Sequence, residues 1–278
     1  MALFNSVAEC MQYLETCKKA FPVLHEIIKP GDVKAWAKQL AAHASLDDYL
    51  LTEMGNLNLL NISIATGWGL ENGRQDEPPL RHYQGLLEKL STYLDKFPRL
   101  KANRSFRGKV KNLTGLSLLT TLSELSLAFQ LATNGYQVVF EKKFKRAAAA
   151  ADKDVDVSAT DATGHVVHFE VYMPSKVMED EGFLDLNEDD ADFAGRVEAK
   201  LLTKFGNEVI TALDGQVFLA VNTAFFDRLR VKNAFSFTAS DYSRLIDLVP
   251  RPVDGILLFD DDFGAGNSFR FGPLLRKL

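Results

Sequence analysis

A short polar turn between two alternating segments constrains the fold more than any other part of this 278-residue sequence. Residues 154–160 and 165–173 each alternate apolar and polar side chains, which is typical of strands with one buried face. The intervening segment, Asp161-Ala-Thr-Gly-His165, has glycine where a three-residue hairpin loop requires the left-handed conformation. The pattern therefore predicts an antiparallel hairpin whose register is set by the turn.

The predicted register decides which side chains share a face of the hairpin. Residues directly opposite each other on antiparallel strands project to the same side. We expect Asp156 opposite Glu170, with similar pairs on either side of them. One face then carries Asp154, Asp156, Ser158, His168, Glu170 and Tyr172, and the other carries Val155, Val157, Val167, Phe169 and Val171. The valine-rich face is expected to pack against a core.

Two carboxylates directly opposite each other repel unless something compensates their charge. Solvent, a proton taken up by one of them, or a cation held between them can provide that compensation. An oxygen-rich site of this kind suits Mg²⁺ or Mn²⁺, and such an ion can polarise a phosphate and lower the pKa of a bound water. The alternative is that the acidic side chains line a solvated outer face of the hairpin.

Helices and strands alternate in the part of the sequence that contains the hairpin. Residues 113–132 predict a helix that is apolar nearly all round, with Glu124 in its middle and a stop signal at Asn134-Gly135. Further strands are predicted at 136–144, 216–222, 255–259 and 268–271, and further helices at 187–205 and 241–248. This order predicts an α/β (α+β) domain with a mixed sheet over residues 113–278.

The N-terminal part of the chain has a different pattern. Apolar residues recur at helical spacing through residues 1–97, interrupted by a polar loop with two prolines at 73–79. We therefore expect an all-helical N-terminal region, residues 1–112, packed on or tethered to the α/β domain.

The balance of charges excludes a uniformly basic nucleic-acid binder. The sequence has 32 lysines and arginines against 37 acidic residues, a formal charge of −5, but net charge says nothing about local patches. Residues 99–111 contain six basic residues and no acid, and this run is expected either to track a phosphate backbone or to be a solvated linker. Its candidate nucleic-acid contacts are Arg104, Arg107 and Lys109, and a second basic cluster follows the first predicted strand at Lys142 and Lys143.

Three further features bear on partners and location. Residues 179–192 carry eight acids, which we interpret as a solvated loop and helix start, with mimicry or repulsion of DNA as the alternative. The first residues lack a basic segment before an apolar run, and no stretch of 18 apolar residues occurs, so a cytoplasmic protein with no membrane partner is expected. Cys10 and Cys17 are predicted to be small buried side chains rather than a disulfide or a metal site.

The order of elements resembles that of the PD-(D/E)xK nuclease superfamily, which has the restriction-endonuclease-like fold. The resemblance rests on the helix with Glu124, the strand with Asp156-Val157, the hairpin, and Phe169-Glu170-Val171-Tyr172. A downstream helix with Lys200 and Lys204 and the strand at 217–221 are also similar to the family's αβββαβ core. The likeness covers about residues 113–260, and residues 1–112 have no counterpart.

The resemblance implies a site and a reaction. Asp156 and Glu170 are expected as ligands of Mg²⁺ or Mn²⁺, with Glu124 as a further ligand or as a group that orients metal-bound water. The reaction implied is hydrolysis of phosphodiester bonds in nucleic acid. In place of the lysine that the family has two residues after the glutamate, this chain has Tyr172. The lysines that could replace it are Lys142, Lys143, Lys153, Lys176 and Lys200.

Three functional interpretations follow from these observations. The first is a metal-dependent nuclease with Asp156, Glu170, Glu124 and Tyr172 in its catalytic site. The second is a catalytically inactive scaffold of the same fold that binds nucleic acid or protein. The third is an unrelated α/β protein whose acidic face is only solvated.

Overall fold

The computed structural model describes residues 3–50, 57–146, 152–174, 191–206, 210–211, 213–224, 238–264 and 268–277. The chain divides into two compact units, which we call the helical unit (Met1–Leu122 with Phe263–Ser268) and the sheet unit (Ser123–Asp262 with Phe269–Leu278). The division falls inside the helix Gly115–Thr133 rather than after residue 112.

The helical unit contains the expected run of helices. Its elements are α1 (Val7–Ala20), α2 (Val23–Ile27), α3 (Pro30–Leu40), α4 (Leu46–Leu50), α5 (Leu59–Glu71), α6 (Pro78–Lys96), α7 (Pro98–Ala102), α8 (Arg104–Asn112) and the start of α9 (Gly115–Thr133). Helix α5 is central, because nearly all of its side chains are buried. Gly67 allows α5 to lie directly on α1, since a Cβ at this position would stand 1.9 Å from the carbonyl oxygen of Tyr13.

The sheet unit contains a seven-stranded mixed sheet, as the alternation of elements predicts. Its strands are β1 (Gln137–Arg146), β2 (Lys153–Thr160), β3 (Val166–Tyr172), β4 (Ile210–Thr211), β5 (Gln216–Asn222), β6 (Gly255–Asp260) and β7 (Arg270–Arg276). They lie in the order β4-β1-β2-β3-β5-β6-β7. Strands β3, β5 and β6 are parallel and the other pairs are antiparallel. Strand β4 was not predicted, because a two-residue strand has no sequence period.

Helices cover both faces of this sheet. Helix α10 (Ala191–Lys204) and helix α11 (Ala239–Asp247) bury Val197, Leu201 and Leu245 against the strand residues Leu219 and Ile256. The opposite face is occupied by the C-terminal part of α9. Because side chains alternate along a strand, each central strand must be apolar on both sides, as the continuous burial of β5 and β6 shows.

Helix α9 is apolar on all sides because it is buried. Among the described residues it is the one helix that is long and apolar enough to cross a membrane, and 61% of that window is buried inside the protein. Burial of this extent is typical of the central helix of a soluble protein.

The predicted hairpin is confirmed in its turn and its register. Gly164 has a φ of 86°, and the carbonyl oxygen of His165 accepts a hydrogen bond from the amide of Asp161 at 3.0 Å. Ser158 lies opposite His168, as the turn predicts. The loop is closed further by the carboxylate of Asp161, which accepts hydrogen bonds from the amides of Thr163 and His165. The turn sequence alone was sufficient to align the two strands.

Candidate active site

The hairpin ladder opens at Asp156. The paired residues of β2 and β3 extend as far as Val157 and Phe169, so the expected direct pairing of Asp156 with Glu170 is not part of the ladder. On the other side of β2 the pairs with β1 also skip Asp156, next to Glu141, which has a φ of 56°. The carboxylate of Asp156 fills the gap, because its Oδ2 accepts a hydrogen bond from the amide of Val171 at 2.7 Å. Asp156 is therefore held at a break in the sheet rather than within a regular strand pair.

Glu170 is buried, so the alternative of a solvated acidic face does not hold for this residue. Its side chain is 2% exposed because α10 packs over this side of β3. Lys200 and Lys204 of α10 both reach it, with Lys200 Nζ 2.7 Å from Oε1 and Lys204 Nζ 2.8 Å from Oε2. The two lysines are four residues apart and so extend from the same face of the helix. One buried carboxylate is thus held between two ammonium groups.

The two contacts to Glu170 differ in geometry. Oε2 has no hydrogen bond of acceptable angle within the described part of the chain, although the ammonium of Lys204 lies close to it. The Lys204 contact is therefore mainly a charge attraction, which depends less on direction than a hydrogen bond does. Lys204 is also 3.6 Å from Asp154, so it lies between two acidic side chains.

Negative charge is concentrated around Asp156. Burial raises the pKa of Asp156 from 3.8 to about 8, and the nearby charges of Glu170 and Glu124 add to the effect. The hydrogen bond from Val171 and the charge of Lys204 act in the opposite direction without cancelling it. Burial alone would lower the pKa of Lys204, but its contacts with Glu170 and the two aspartates outweigh burial and raise it. Near neutral pH, Asp156 is therefore mainly protonated and Lys204 is charged.

Tyr172 and Lys200 occupy neighbouring positions at this site. The ammonium of Lys200 lies 5.7 Å from the centroid of the Tyr172 ring, within the range of a cation–π contact. The ring itself packs against the apolar core beneath α10. Tyr172 therefore supplies no charge. Lys200 places a positive charge beside the Tyr172 ring and against the carboxylate of Glu170.

The other candidate lysines have different contacts. Lys142 binds the exposed carboxylate of Asp214 at 2.5 Å, and Lys153 donates to the carbonyl oxygen of Thr203 at 3.0 Å. Lys143 is exposed on β1. Lys176 and the acidic residues of 179–190 lie outside the described residues. The sequence analysis did not include Lys204 among these candidate lysines, although its spacing of four from Lys200 places both on one face of α10.

Glu124 lies in the middle of α9, half-buried, where its charge acts on Asp156. This is the arrangement that the resemblance implies for a helix preceding the hairpin. Within the described ranges, no group of three or more acidic, histidine or cysteine side chains is arranged to hold a metal ion. The structure thus brings the charges of three candidate ligands near each other, but both oxygens of Glu170 face lysines.

His168 belongs to the structural part of the hairpin. Its Nδ1 lies 2.8 Å from Ser158 Oγ, and its Nε2 lies 2.9 Å from the carbonyl oxygen of Asp214. Burial lowers the pKa of His168, so the imidazole is neutral at physiological pH. With both ring nitrogens engaged, it stabilises the hairpin against β5 rather than serving the acidic cluster.

The basic run of residues 99–111 forms helices, not a linker. It comprises α7 and α8 of the helical unit, anchored by the buried side chain of Val110. Two of its lysines are engaged in ion pairs, Lys101 with Glu26 at 3.0 Å and Lys111 with Asp32 at 2.6 Å. Arg104 and Lys109 are exposed and Arg107 is half-buried. The candidate contacts to nucleic acid are thus on the surface of α8.

Comparisons with family models, with curated proteins and with solved structures find no match to this chain. The function must therefore be inferred from the geometry and charge of the site.

Proposed function

We propose that this protein is a divergent PD-(D/E)xK nuclease that hydrolyses phosphodiester bonds in nucleic acid with Mg²⁺ or Mn²⁺. The order α9, β1, β2, β3, α10, β5 supports a restriction-endonuclease-like core, with β4 as a small addition at the sheet edge. The site would consist of Asp156, Glu170 and Glu124 as acidic groups, with Lys200 as the cationic group.

The position of Lys200 is the observation that carries this proposal. Phosphodiester hydrolysis develops negative charge in the transition state, which a fixed cation stabilises. Tyr172 cannot supply that charge from the motif position, because a phenol is neutral at physiological pH. Lys200 lies over the Tyr172 ring and contacts Glu170. Helix α10 would therefore supply an ammonium group close to Tyr172, where the resemblance leads us to expect a lysine.

The acidic groups fit a magnesium site of the open kind. Mg²⁺ usually keeps several waters and is held by one or two carboxylates together with substrate phosphates. A cluster of three protein ligands is therefore not required. The pKa of Asp156 is raised mainly by burial and further by the charges of Glu170 and Glu124, and a bound cation would favour its ionised form. A divalent ion, when bound, polarises the scissile phosphate.

Each side chain has a distinct role in the proposed site. Asp156, oriented by the amide of Val171, and Glu170 would hold the ion, and Glu124 would bind or orient water from α9. Lys204 would hold the carboxylate of Glu170 in place by charge attraction. Lys200 would stabilise the charge on the phosphate.

The substrate would be held by positive charge outside the acidic site. In the helical unit, Arg104 and Lys109 with Arg107 on α8 suit phosphate contacts. In the sheet unit, Lys143 on β1 is a separate exposed candidate, and its neighbour Lys142 is paired with Asp214. A cytoplasmic location is part of the same proposal. It is compatible with the two cysteines of the described residues, Cys10 and Cys17, which are free and buried.

A second candidate function is favoured by the contacts of Glu170. Because two ammonium groups already face its oxygens, the carboxylate is neutralised without any metal. A catalytically inactive scaffold that binds nucleic acid or protein would have such an arrangement. In that case Lys200 and Lys204 would serve only to stabilise the buried glutamate.

A cleavage assay with a matched pair of variants separates the two functions. Wild type, Glu170→Gln and Glu15→Gln are incubated with single-stranded DNA, double-stranded DNA and RNA, with Mg²⁺, Mn²⁺ or a chelator. Glu15 is the control, because it also pairs with a lysine, Lys18, but its side chain is 49% exposed and lies on α1 of the helical unit. The nuclease predicts metal-dependent products that Glu170→Gln abolishes and Glu15→Gln retains. Absence of products from every substrate, with nucleic acid still bound, would support the scaffold.

A further inference from the structure

A cavity of about 420 Å³ lies in the sheet unit, on the face of the sheet opposite to Glu170. Its floor is formed by Phe169 and Phe218, and Glu170 points to the other face because side chains alternate along β3. Leu131, at the C-terminal end of α9, closes one side, and Leu274 of the edge strand β7 borders another. The cavity is therefore separate from the proposed nuclease site.

A row of paired residues brings a cation to the cavity. Phe169, Phe218, Gly255 and Arg276 are paired in sequence across β3, β5, β6 and β7. Paired residues project to one face, so this row has two aromatic rings, a glycine and then a cation. Gly255 is required by the close approach of β7, since a Cβ there would stand 1.9 Å from the carbonyl oxygen of Leu275. With no side chain at Gly255, the guanidinium of Arg276 lies 5.8 Å from the Phe218 ring centroid.

Arg276 brings a positive charge to an otherwise apolar cavity. Its side chain is exposed, and no acidic side chain within the described ranges forms an ion pair with it. The polar side chains at the rim, which include Tyr136, His165 and Gln216, can all act as hydrogen-bond donors. The cavity thus combines an aromatic floor with a cation that has no acidic partner among the residues described.

We propose that this cavity is a binding site for a small aromatic carboxylate. Its volume lies within the range of about 300–1,000 Å³ that is typical of small-molecule sites, which are mainly apolar with a few placed polar groups. The ring of the ligand packs against Leu274 and the exposed ring of Phe271, above the nearly buried floor of Phe169 and Phe218. Its carboxylate pairs with Arg276, because the planar guanidinium matches a carboxylate with two parallel hydrogen bonds.

The test uses 2-naphthoate as the probe and 2-naphthamide as its neutral analogue of similar shape. Calorimetry on the full chain is expected to give one saturable site for 2-naphthoate. Arg276→Gln is expected to weaken 2-naphthoate binding by about tenfold or more, the range of a charge-assisted hydrogen-bond pair, and to leave 2-naphthamide binding unchanged. Arg251→Gln, at another exposed arginine of the sheet unit, is the matched control and is expected to bind as wild type does.

A second variant tests where the ring binds. Leu274 is 42% exposed at the edge of the sheet, so Leu274→Asn should fold, as circular dichroism and thermal melting would verify. It is expected to weaken the binding of both 2-naphthoate and 2-naphthamide, since both use the apolar wall. Glu170→Gln is expected to change neither, which keeps this site independent of the nuclease proposal. No saturable binding, or equal affinities in Arg276→Gln and Arg251→Gln, would overturn the assignment.

Discussion

The ammonium of Lys200 lies 2.7 Å from the carboxylate of Glu170, a side chain that is 2% exposed. The two residues come from α10 and β3 and are 30 positions apart in the sequence numbering, so no local pattern connects them. This contact places a cation beside the buried carboxylate and near the ring of Tyr172. The predictions that follow test what this arrangement does.

Removing the charge of Lys200 should reduce cleavage without unfolding the protein. Lys200→Met is expected to lower the rate of phosphodiester hydrolysis by about 10²–10³-fold, as the loss of one fixed charge-stabilising donor does in other enzymes. Lys200→Arg should retain part of the activity, because the charge remains. Rates are measured under single-turnover conditions with Mn²⁺. Equal rates in wild type and Lys200→Met would show that Lys200 has no catalytic role.

The two lysines together should account for much of the stability of buried Glu170. In the double variant Lys200→Met with Lys204→Met, the carboxylate loses both cations, which is expected to cost about 3–5 kcal/mol of unfolding free energy. Either single variant should cost less than half of this, because one ammonium still faces the carboxylate. Urea denaturation measures these differences.

The matched control for this experiment is an exposed pair of the same chemistry. Lys142→Met breaks a contact with Asp214, whose side chain is 78% exposed, and should lower the unfolding free energy much less than the double variant does, because solvent screens an exposed pair. The losses of unfolding free energy in Lys200→Met and Lys204→Met could instead be additive, each as small as the loss in Lys142→Met. That result would contradict the idea that the two lysines jointly neutralise Glu170. Mn²⁺ should stabilise the double variant more than wild type, since the metal then meets no competing ammonium.

Stability should fall as pH rises, because of Asp156. Its pKa is raised to about 8 in the folded protein by burial and by the charges of Glu170 and Glu124. Between its unfolded value and about pH 8 the native state therefore holds a proton that the unfolded state has lost, so unfolding becomes easier as pH increases. Chemical denaturation without metal, from pH 5 to pH 9, should show a falling unfolding free energy in wild type. The fall should be smaller in Asp156→Asn.

Asp161→Asn is the control for the pH experiment. The hydroxyl of Thr163 and the neighbouring amides hold the pKa of Asp161 below its ordinary range, so its contribution to stability is lost only at acidic pH. The slope of the unfolding free energy against pH, between pH 5 and pH 9, should therefore be the same in Asp161→Asn as in wild type. A wild-type stability that is flat or rises across this interval would contradict the raised pKa of Asp156.

The exposed basic residues of α8 should contribute to nucleic-acid binding through phosphate contacts. Arg104→Ala with Arg107→Ala is expected to weaken binding to all sequences alike and to reduce the slope of log affinity against log salt by about 2. Lys101→Ala is the control within the same basic run, because its ammonium is already paired with Glu26 and Asp95. Equal losses in the control and the double variant would show that α8 has no specific role. Fluorescence anisotropy over a series of salt concentrations provides the measurement.

Local patterns in the sequence were enough to predict most of the elements and the hairpin. The turn Asp161–His165 sets the register because a three-residue loop with Gly164 leaves one way to pair the strands. The apolar strand at 216–222 and the apolar helix around Glu124 were equally evident from their composition. These features depend on residues close in the chain, for which local sterics and periodicity are decisive.

The candidate site was only partly predictable. The sequence identified Asp156, Glu170 and Glu124, and it named Lys200 as one of five lysines able to replace the motif lysine. It did not predict that the ladder opens at Asp156, since a break in pairing results from the geometry of three strands together. It also did not exclude a solvated acidic face, because burial of Glu170 depends on α10.

The sequence by itself determined the α/β class and the hairpin register, because each follows from neighbouring side chains. Only the tertiary structure decided that Lys200 and Lys204 lie on Glu170 and that the charge of Asp156 is suppressed. The same holds for the row of Phe218, Gly255 and Arg276, whose members meet only when β5, β6 and β7 are aligned. Contacts between distant segments are set by packing and by the low dielectric of the interior, and neither is encoded in a local pattern.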